Sequence, residues 1–96
     1  MRGGWVYIMA SRPFGTLYAG VTNDLPRRAW EHRTGACPGF TKRYGVWMLV
    51  YAEWHDDIRT AIQRETSMKR WPRLWKLNLI EQQNPKWEGL YPTLLA

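Results

Sequence analysis

The sequence predicts an α+β fold, a three-stranded antiparallel sheet flanked by helices in the order β-β-α-β-α-α. Three features point to it. Two segments rich in β-branched and aromatic residues flank a Pro/Gly turn, a continuous apolar run follows later, and the remaining stretches place apolar residues at helical spacing behind recognisable caps. The 96 residues suffice for one domain, 1–96, with 86–96 as a C-terminal tail. At 45% hydrophobic residues, with seven Trp and five Tyr, the chain is too apolar and aromatic to stay disordered.

The first two strands are residues 5–9 and 17–21, a hairpin whose turn is punctuated by Pro13 and Gly15. Thr22, Asn23 and Asp24 offer caps ahead of Leu25 and Pro26, where proline suits a first helical turn. This helix runs to about Gly35, stopped by Gly35 and Pro38. A basic loop, 40–45, leads into the apolar run 46–52, which reads as a strand buried on both faces and therefore central. Asp56 and Asp57 cap a second helix over 58–71. Pro72 ends it and opens a third helix to about Gln83, closed by Asn84 and Pro85. In the tail, Trp87, Leu90, Tyr91, Leu94 and Leu95 pack back on the body. The tryptophans are read chiefly as core, with Trp30 or Trp54 as exposed candidates for stacking on unpaired bases.

Lys and Arg number 14 against 8 Asp and Glu, a formal charge of +6 that favours anionic partners such as nucleic acid. The lone Cys37 forms no internal disulfide and reads as packing; with no Cys/His set at zinc spacing, the chain is expected to be cytoplasmic and zinc-free. No apolar run approaches bilayer length, so no membrane partner is expected. Glu53, His55 and Asp56 resemble a second metal site, but their place beside a helix cap favours solvation.

Residues set about 100° apart around each predicted helix reveal polar groups on apolar faces. On the first helix, Leu25, Ala29 and Ala36 mark the buried side; Arg28 and His32 fall beside them, one turn apart, while Arg27 and Glu31 point away. On the second, Glu65 falls within the stripe of Ile58, Ala61, Ile62 and Met68. A carboxylate there needs a metal ion or an arginine as partner. On the hairpin, Tyr7 lies on one strand and Tyr18 and Gly20 share a face of the next. A register placing Tyr7 near Tyr18 brings two phenols together, and Gly20 leaves room for a ligand. Singly, each feature has a structural explanation as a solvated face, an ion pair or sheet filler. Arginine, histidine, glutamate and two tyrosines at one seam form a working set for phosphodiester hydrolysis.

The ordered motifs Val6-Tyr7-Ile8, Tyr18-Ala19-Gly20 and Asn23-Asp24-Leu25 with Arg28 and His32, followed by Glu65 and Lys69 on a later helix, resemble the GIY-YIG nuclease superfamily, specifically its small single-domain, URI-type members. The resemblance extends to about Trp87, with Val6 in place of the first Gly and Ala19 in place of Ile. It implies a divalent-metal-dependent DNA endonuclease with Tyr7, Tyr18, Arg28, His32 and Glu65 at the active positions. In that scheme Glu65 holds a single Mg²⁺ or Mn²⁺, Arg28 grips phosphoryl oxygens, Tyr7 is the candidate general base aided by His32, and Tyr18 orients water or phosphate. Lys42, Arg43, Lys69, Arg70, Arg73 and Lys76 are candidates for backbone phosphates. The DNA substrate is left open between duplex, branched and single-stranded forms and the protein between monomer and weak dimer. With no residues left for a target-recognition domain, structure- or single-strand-directed cutting with limited sequence specificity is expected. The rival reading is a non-catalytic nucleic-acid-binding module on the same fold.

Overall fold

The computed structural model describes residues 2–36 and 39–94. β1 (Gly4–Ala10) and β2 (Leu17–Thr22) form the predicted hairpin, and β3 (Met48–His55) pairs antiparallel with the other side of β1. The sheet order is β2-β1-β3, so β1 is the central strand and β3 an edge, the reverse of the role its apolar run suggested. Continuous apolarity reports burial on both faces, not pairing on both sides, and Leu49, Val50 and Tyr51 are buried although the strand is an edge. Val46 is buried just outside the strand.

The edge of β3 is covered rather than bare. The Gln83 side-chain amide accepts from Ala52 N at 3.3 Å and donates to Ala52 O at 3.0 Å, Asn84 Nδ2 donates to Val50 O at 3.0 Å, and Leu90 N donates to Leu49 O at 2.8 Å. Side chains and the tail thus occupy ladder positions that a fourth strand would otherwise take.

α1 (Leu25–Thr34) begins where Asp24 accepts from Arg27 N at 3.2 Å and ends at Gly35, whose left-handed φ of 76° suits the C-terminal cap. Its buried residues are Leu25, Ala29 and His32; Ala36 lies past the helix end and is exposed. The expected loop over 40–45 holds a short helix instead, α2 (Phe40–Arg43). Cys37 and Leu95, read as packing, and Pro38, read as a helix stop, lie outside the described residues. α3 (Ile58–Arg70) is capped by Asp57, which accepts from Arg59 N at 2.9 Å, and stops before Trp71. α4 (Arg73–Gln83) follows Pro72, and a last turn, α5 (Tyr91–Leu94), closes the tail.

The sheet separates two apolar layers. Val6, Ile8 and Ala10 pack with Val50, Ala61, Met68, Ile80 and Trp87, the side covered by α3 and α4. Tyr7 and Met9 pack with Leu25, Ala29, Val46 and Leu49, joined by Leu90, Tyr91 and Leu94 from the tail. Ile62, assigned above to the apolar stripe of α3, is exposed. So are Trp30, Trp47, Trp54 and Trp75, against the core reading of the tryptophans; only Trp87 among the seven is buried. A domain of this size has too little interior for so many indoles. No helix among the described residues is long and apolar enough to cross a membrane.

Asn84 is 5% exposed and ties three segments together, donating to Val50 O and to Glu88 O at 2.8 Å while accepting from Glu88 N at 3.0 Å. Asn84→Ala is expected to cost about 2–4 kcal/mol, the sum of three such bonds, read as a lowered midpoint in urea unfolding with an unchanged slope.

Candidate active site

The hairpin register sets the first part of the site. Tyr7 pairs with Gly20 and Met9 with Tyr18, so Tyr7 and Tyr18 are diagonal neighbours on the face that α1 covers. Gly20 does not leave room for a ligand: a Cβ there would collide with the Tyr7 ring and hydroxyl, so the phenol itself fills the space above the glycine. From α1, His32 reaches the same spot. Its Nε2 lies 3.1 Å from Tyr7 Oη, and its ring centroid is 5.8 Å from that of Tyr7 and 5.7 Å from that of Tyr18.

Burial, reinforced by the Arg28 guanidinium and opposed by Glu31, lowers the His32 pKa below its ordinary 6.5, so the ring is neutral at pH 7. Nδ1 is buried with no hydrogen-bond partner among the described residues. A bare nitrogen lone pair is tolerated in that position more readily than an orphaned N–H, which favours the tautomer carrying its proton on Nε2 and donating to Tyr7 Oη.

Arg28 sits one turn before His32, with Nε 3.4 Å from Glu31 Oε1; Arg27 Nε lies 3.6 Å from Glu31 Oε2. Glu31 therefore stands beside Arg28 instead of pointing away, because residues three apart on a helix share a surface. These three side chains, with Thr22, Asn23 and Asp24, line a cavity of about 270 Å³ at the start of α1.

Glu65 comes from the opposite layer, since Ala61 and Met68 of α3 pack on the Val6–Ile8 side of the sheet. Its side chain is 15% exposed and its Oε2 is 3.3 Å from Lys69 Nζ, and that ammonium lies 5.7 Å from the centroid of the Tyr18 ring. Tyr18, on the edge strand β2, is thus where the two layers meet. Tyr7 and Tyr18 each meet His32, Arg28 lies one turn before His32 on α1, and Lys69 links Glu65 to Tyr18.

A metal ion at Glu65 is compatible with this arrangement. Among the described residues no three His, Cys, Asp or Glu gather to hold a metal. A single half-shielded carboxylate that already attracts a cation suits a hard divalent ion whose shell is completed by water and phosphate oxygens. The second metal reading fails for a different reason than solvation: Glu53 is bonded to Tyr51, His55 and Arg64, and Asp56 Oδ1 accepts from Trp54 Nε1 at 2.8 Å.

Of the candidate phosphate-binding residues, Lys42 and Arg43 are exposed on α2, Lys69 is paired with Glu65, Arg70 lines a groove between α3 and α4, and Lys76 is half-buried. Arg73 is committed to the hairpin turn, its Nη2 donating to Phe14 O at 2.7 Å and Gly15 O at 2.6 Å. Sequence reasoning missed an exposed aromatic run beside Tyr18. Phe40 stacks on Tyr18 at 6.0 Å, Tyr44 lies 4.7 Å from Phe40, and Arg43 covers Tyr44 at 5.6 Å. A basic, aromatic segment such as 40–44 was the available signal.

Residues 3–78 match the GIY-YIG catalytic domain, and the chain belongs to that family, whose members are generally endonucleases dependent on a divalent metal. It is 37% identical over 79 residues to a UPF0213 protein of Oceanobacillus iheyensis, covering 82% of this chain and 91% of that one. A UPF0213 protein of Clostridium perfringens is 36% identical over 85 residues, covering 88% and 90%. The solution structure of a UPF0213 protein from Bacillus halodurans superposes with a TM-score of 0.56 at 26% identity, covering 91% of this chain and 92% of that one.

Because His32 is held neutral, the folded protein takes up its proton at lower pH than the unfolded chain, whose ordinary value is 6.5. In that interval the unfolded state binds more protons, so stability falls as pH drops below 6.5 and the fall ends beneath the folded-state value. The urea midpoint is expected to decline between pH 7.5 and 5.5 (an interval of roughly two units around the His range), and to decline less in His32→Gln. Equal declines would exclude His32 as the source.

Proposed function

We propose that the protein is a DNA endonuclease that hydrolyses phosphodiester bonds with a single Mg²⁺ or Mn²⁺ and prefers single strands. The observation that carries the reading is the Tyr7–His32 hydrogen bond beside Tyr18, bordered by Arg28 and, through Lys69, by Glu65. Hydrolysis requires a water to lose a proton as it attacks phosphorus, while charge builds on the phosphoryl oxygens and the leaving oxygen departs.

Tyr7 takes the proton of that water. The phenol must first give up its own proton to solvent, and the Nε2–H bond from His32 holds its oxygen in place for the transfer. Arg28, permanently charged, binds non-bridging oxygens through its fork, with Glu31 limiting its swing. Tyr18 orients phosphate or water at the meeting of the two layers. Glu65 holds the metal, which when bound neutralises phosphate charge and assists the leaving group.

The preference for single strands rests on Phe40 and Tyr44. These residues are 45% and 49% exposed and continue outward from Tyr18, with Lys42 and Arg43 on the same helix turn. Unpaired bases can stack on such a run while the cations meet the backbone; a duplex keeps its bases internal.

Purified protein challenged with single-stranded, duplex and branched DNA is expected to cut the single strand fastest, with Mg²⁺ or Mn²⁺ and not with EDTA. Glu65→Ala and Arg28→Lys should each lower kcat by about two to three orders of magnitude with binding at moderate salt retained. Phe40→Ala should weaken single-strand binding by about 1–3 kcal/mol and leave duplex binding little changed. Binding that survives with no cleavage under any condition would favour a non-catalytic module.

A further inference from the structure

A second polar cluster lies outside this site, on the α3 side of the sheet. It exists because of a bulge. β1 pairs Ile8 with Tyr51 but Met9 with Leu49, leaving Val50 as an extra residue on β3. Val50 and Tyr51, adjacent in sequence, consequently face the same apolar layer. Strand alternation resumes from Tyr51, so Glu53 and His55, opposite Val6 and Gly4, follow it to the face that α3 covers.

There the Glu53 carboxylate is surrounded. Tyr51 Oη donates to Oε1 at 2.5 Å, His55 Nε2 lies 2.5 Å from Oε2, and Arg64 of α3 donates Nε to Oε2 at 3.0 Å and Nη2 to Oε1 at 3.3 Å. Thr60 Oγ1 is 3.3 Å from His55 Nδ1, and the Arg64 guanidinium covers the Trp71 ring at 4.9 Å. Burial by itself raises the Glu53 pKa, but the bonds from Tyr51, His55 and Arg64 outweigh it and the net direction is down. For Arg64, burial lowers and Glu53 raises, with a net rise. Both groups are therefore charged, and the bond between them is two-pronged.

Arg64 is the residue before Glu65. Ala61 and Met68, both 0% exposed, mark the middle of the inward face of α3. With successive residues about 100° apart, Thr60 and Arg64 fall on one side of that line, towards β3, and Glu65 and Lys69 on the other, towards β2 and Tyr18. Any roll of α3 that opened the Arg64–Glu53 pair would carry Glu65 with it.

We propose that Glu53 and Arg64 are positioning residues that fix the roll of α3 and thereby aim Glu65 at the metal and the scissile phosphate. The inference rests on the reading of Glu65 as the metal-holding carboxylate. Apolar contacts alone define a helix's inward face loosely, because Ala61 and Met68 slide over a smooth layer; a forked ion pair bonded on both prongs has one geometry.

The test titrates Mn²⁺, followed by the paramagnetic resonance signal of the free ion, into protein bound to a phosphorothioate single strand that resists cleavage. Wild type is compared with Glu65→Ala, Glu53→Gln, Arg64→Met and the Glu53→Gln/Arg64→Met double variant, with thermal melts and steady-state cleavage alongside. Glu53→Gln keeps the shape of the side chain while removing the charge and turning one accepting oxygen into a donating NH2, so no more than one prong from Arg64 survives. Each single variant is expected to weaken Mn²⁺ binding about tenfold, as loss of supporting groups around a metal ligand typically does, and to lower kcat with KM for DNA nearly unchanged. The double variant should be no worse than either single one. Lower melting temperatures with wild-type Mn²⁺ affinity and kcat in the folded variants would overturn the proposal and leave Glu65's role standing. Unchanged Mn²⁺ binding in Glu65→Ala would overturn both.

Discussion

The arrangement of the molecule depends on a phenol held inside a sheet that is covered on both faces. Tyr7 sits on the central strand at 2% exposure, where an unbonded hydroxyl would be costly. His32 supplies the bond, and that requirement fixes the rotation of α1, since the imidazole must face the sheet. Arg28 and Glu31 are placed by the same rotation, one turn earlier and on the neighbouring surface. Gly20 is part of the same constraint, for the ring occupies the volume that any side chain there would need.

The other layer is governed by charge instead of by a neutral hydrogen bond. α3 carries two acid–base pairs on opposite flanks, Arg64 with Glu53 towards β3 and Glu65 with Lys69 beside Tyr18. They differ in kind. The first has two prongs and several further partners, so it is rigid; the second is a single contact between a lysine that is 49% exposed and a carboxylate, which water and a competing cation can reach. The helix is thus anchored on one flank and exchangeable on the other. The acidic side chains Asp24, Glu31, Glu53, Asp57 and Glu65 are all engaged with caps or cations, while Lys42 and Arg43 stand exposed on α2, next to the aromatic run.

Much of this could be read along the chain. Hairpin, caps and the three long helices follow from local chemistry: Asp24 and Asp57 as caps, Gly35 as a stop and Pro72 as a boundary act within a few residues of themselves. The inward placement of His32 and the half-buried state of Glu65 followed from helical phase alone. Phase failed for Ile62 and Ala36, where one lies past the edge of the covered arc and the other past the end of its helix. It also missed Glu31, since a helix has flanks as well as two faces.

What the sequence determined by itself is the hairpin, the three long helices and the inward phase of His32 and Glu65, because these depend on periodicity and on backbone groups close by. What only the tertiary structure decided is which elements are neighbours: that β1 lies between β2 and β3, that Tyr7 fills the place above Gly20, and that α3 approaches the site from across the sheet. The bulge at Val50 shows the reason most directly. One extra residue in the pairing of β3 with β1 turns Tyr51, Glu53 and His55 towards α3, and no periodicity within 48–55 encodes a register that exists only between two strands.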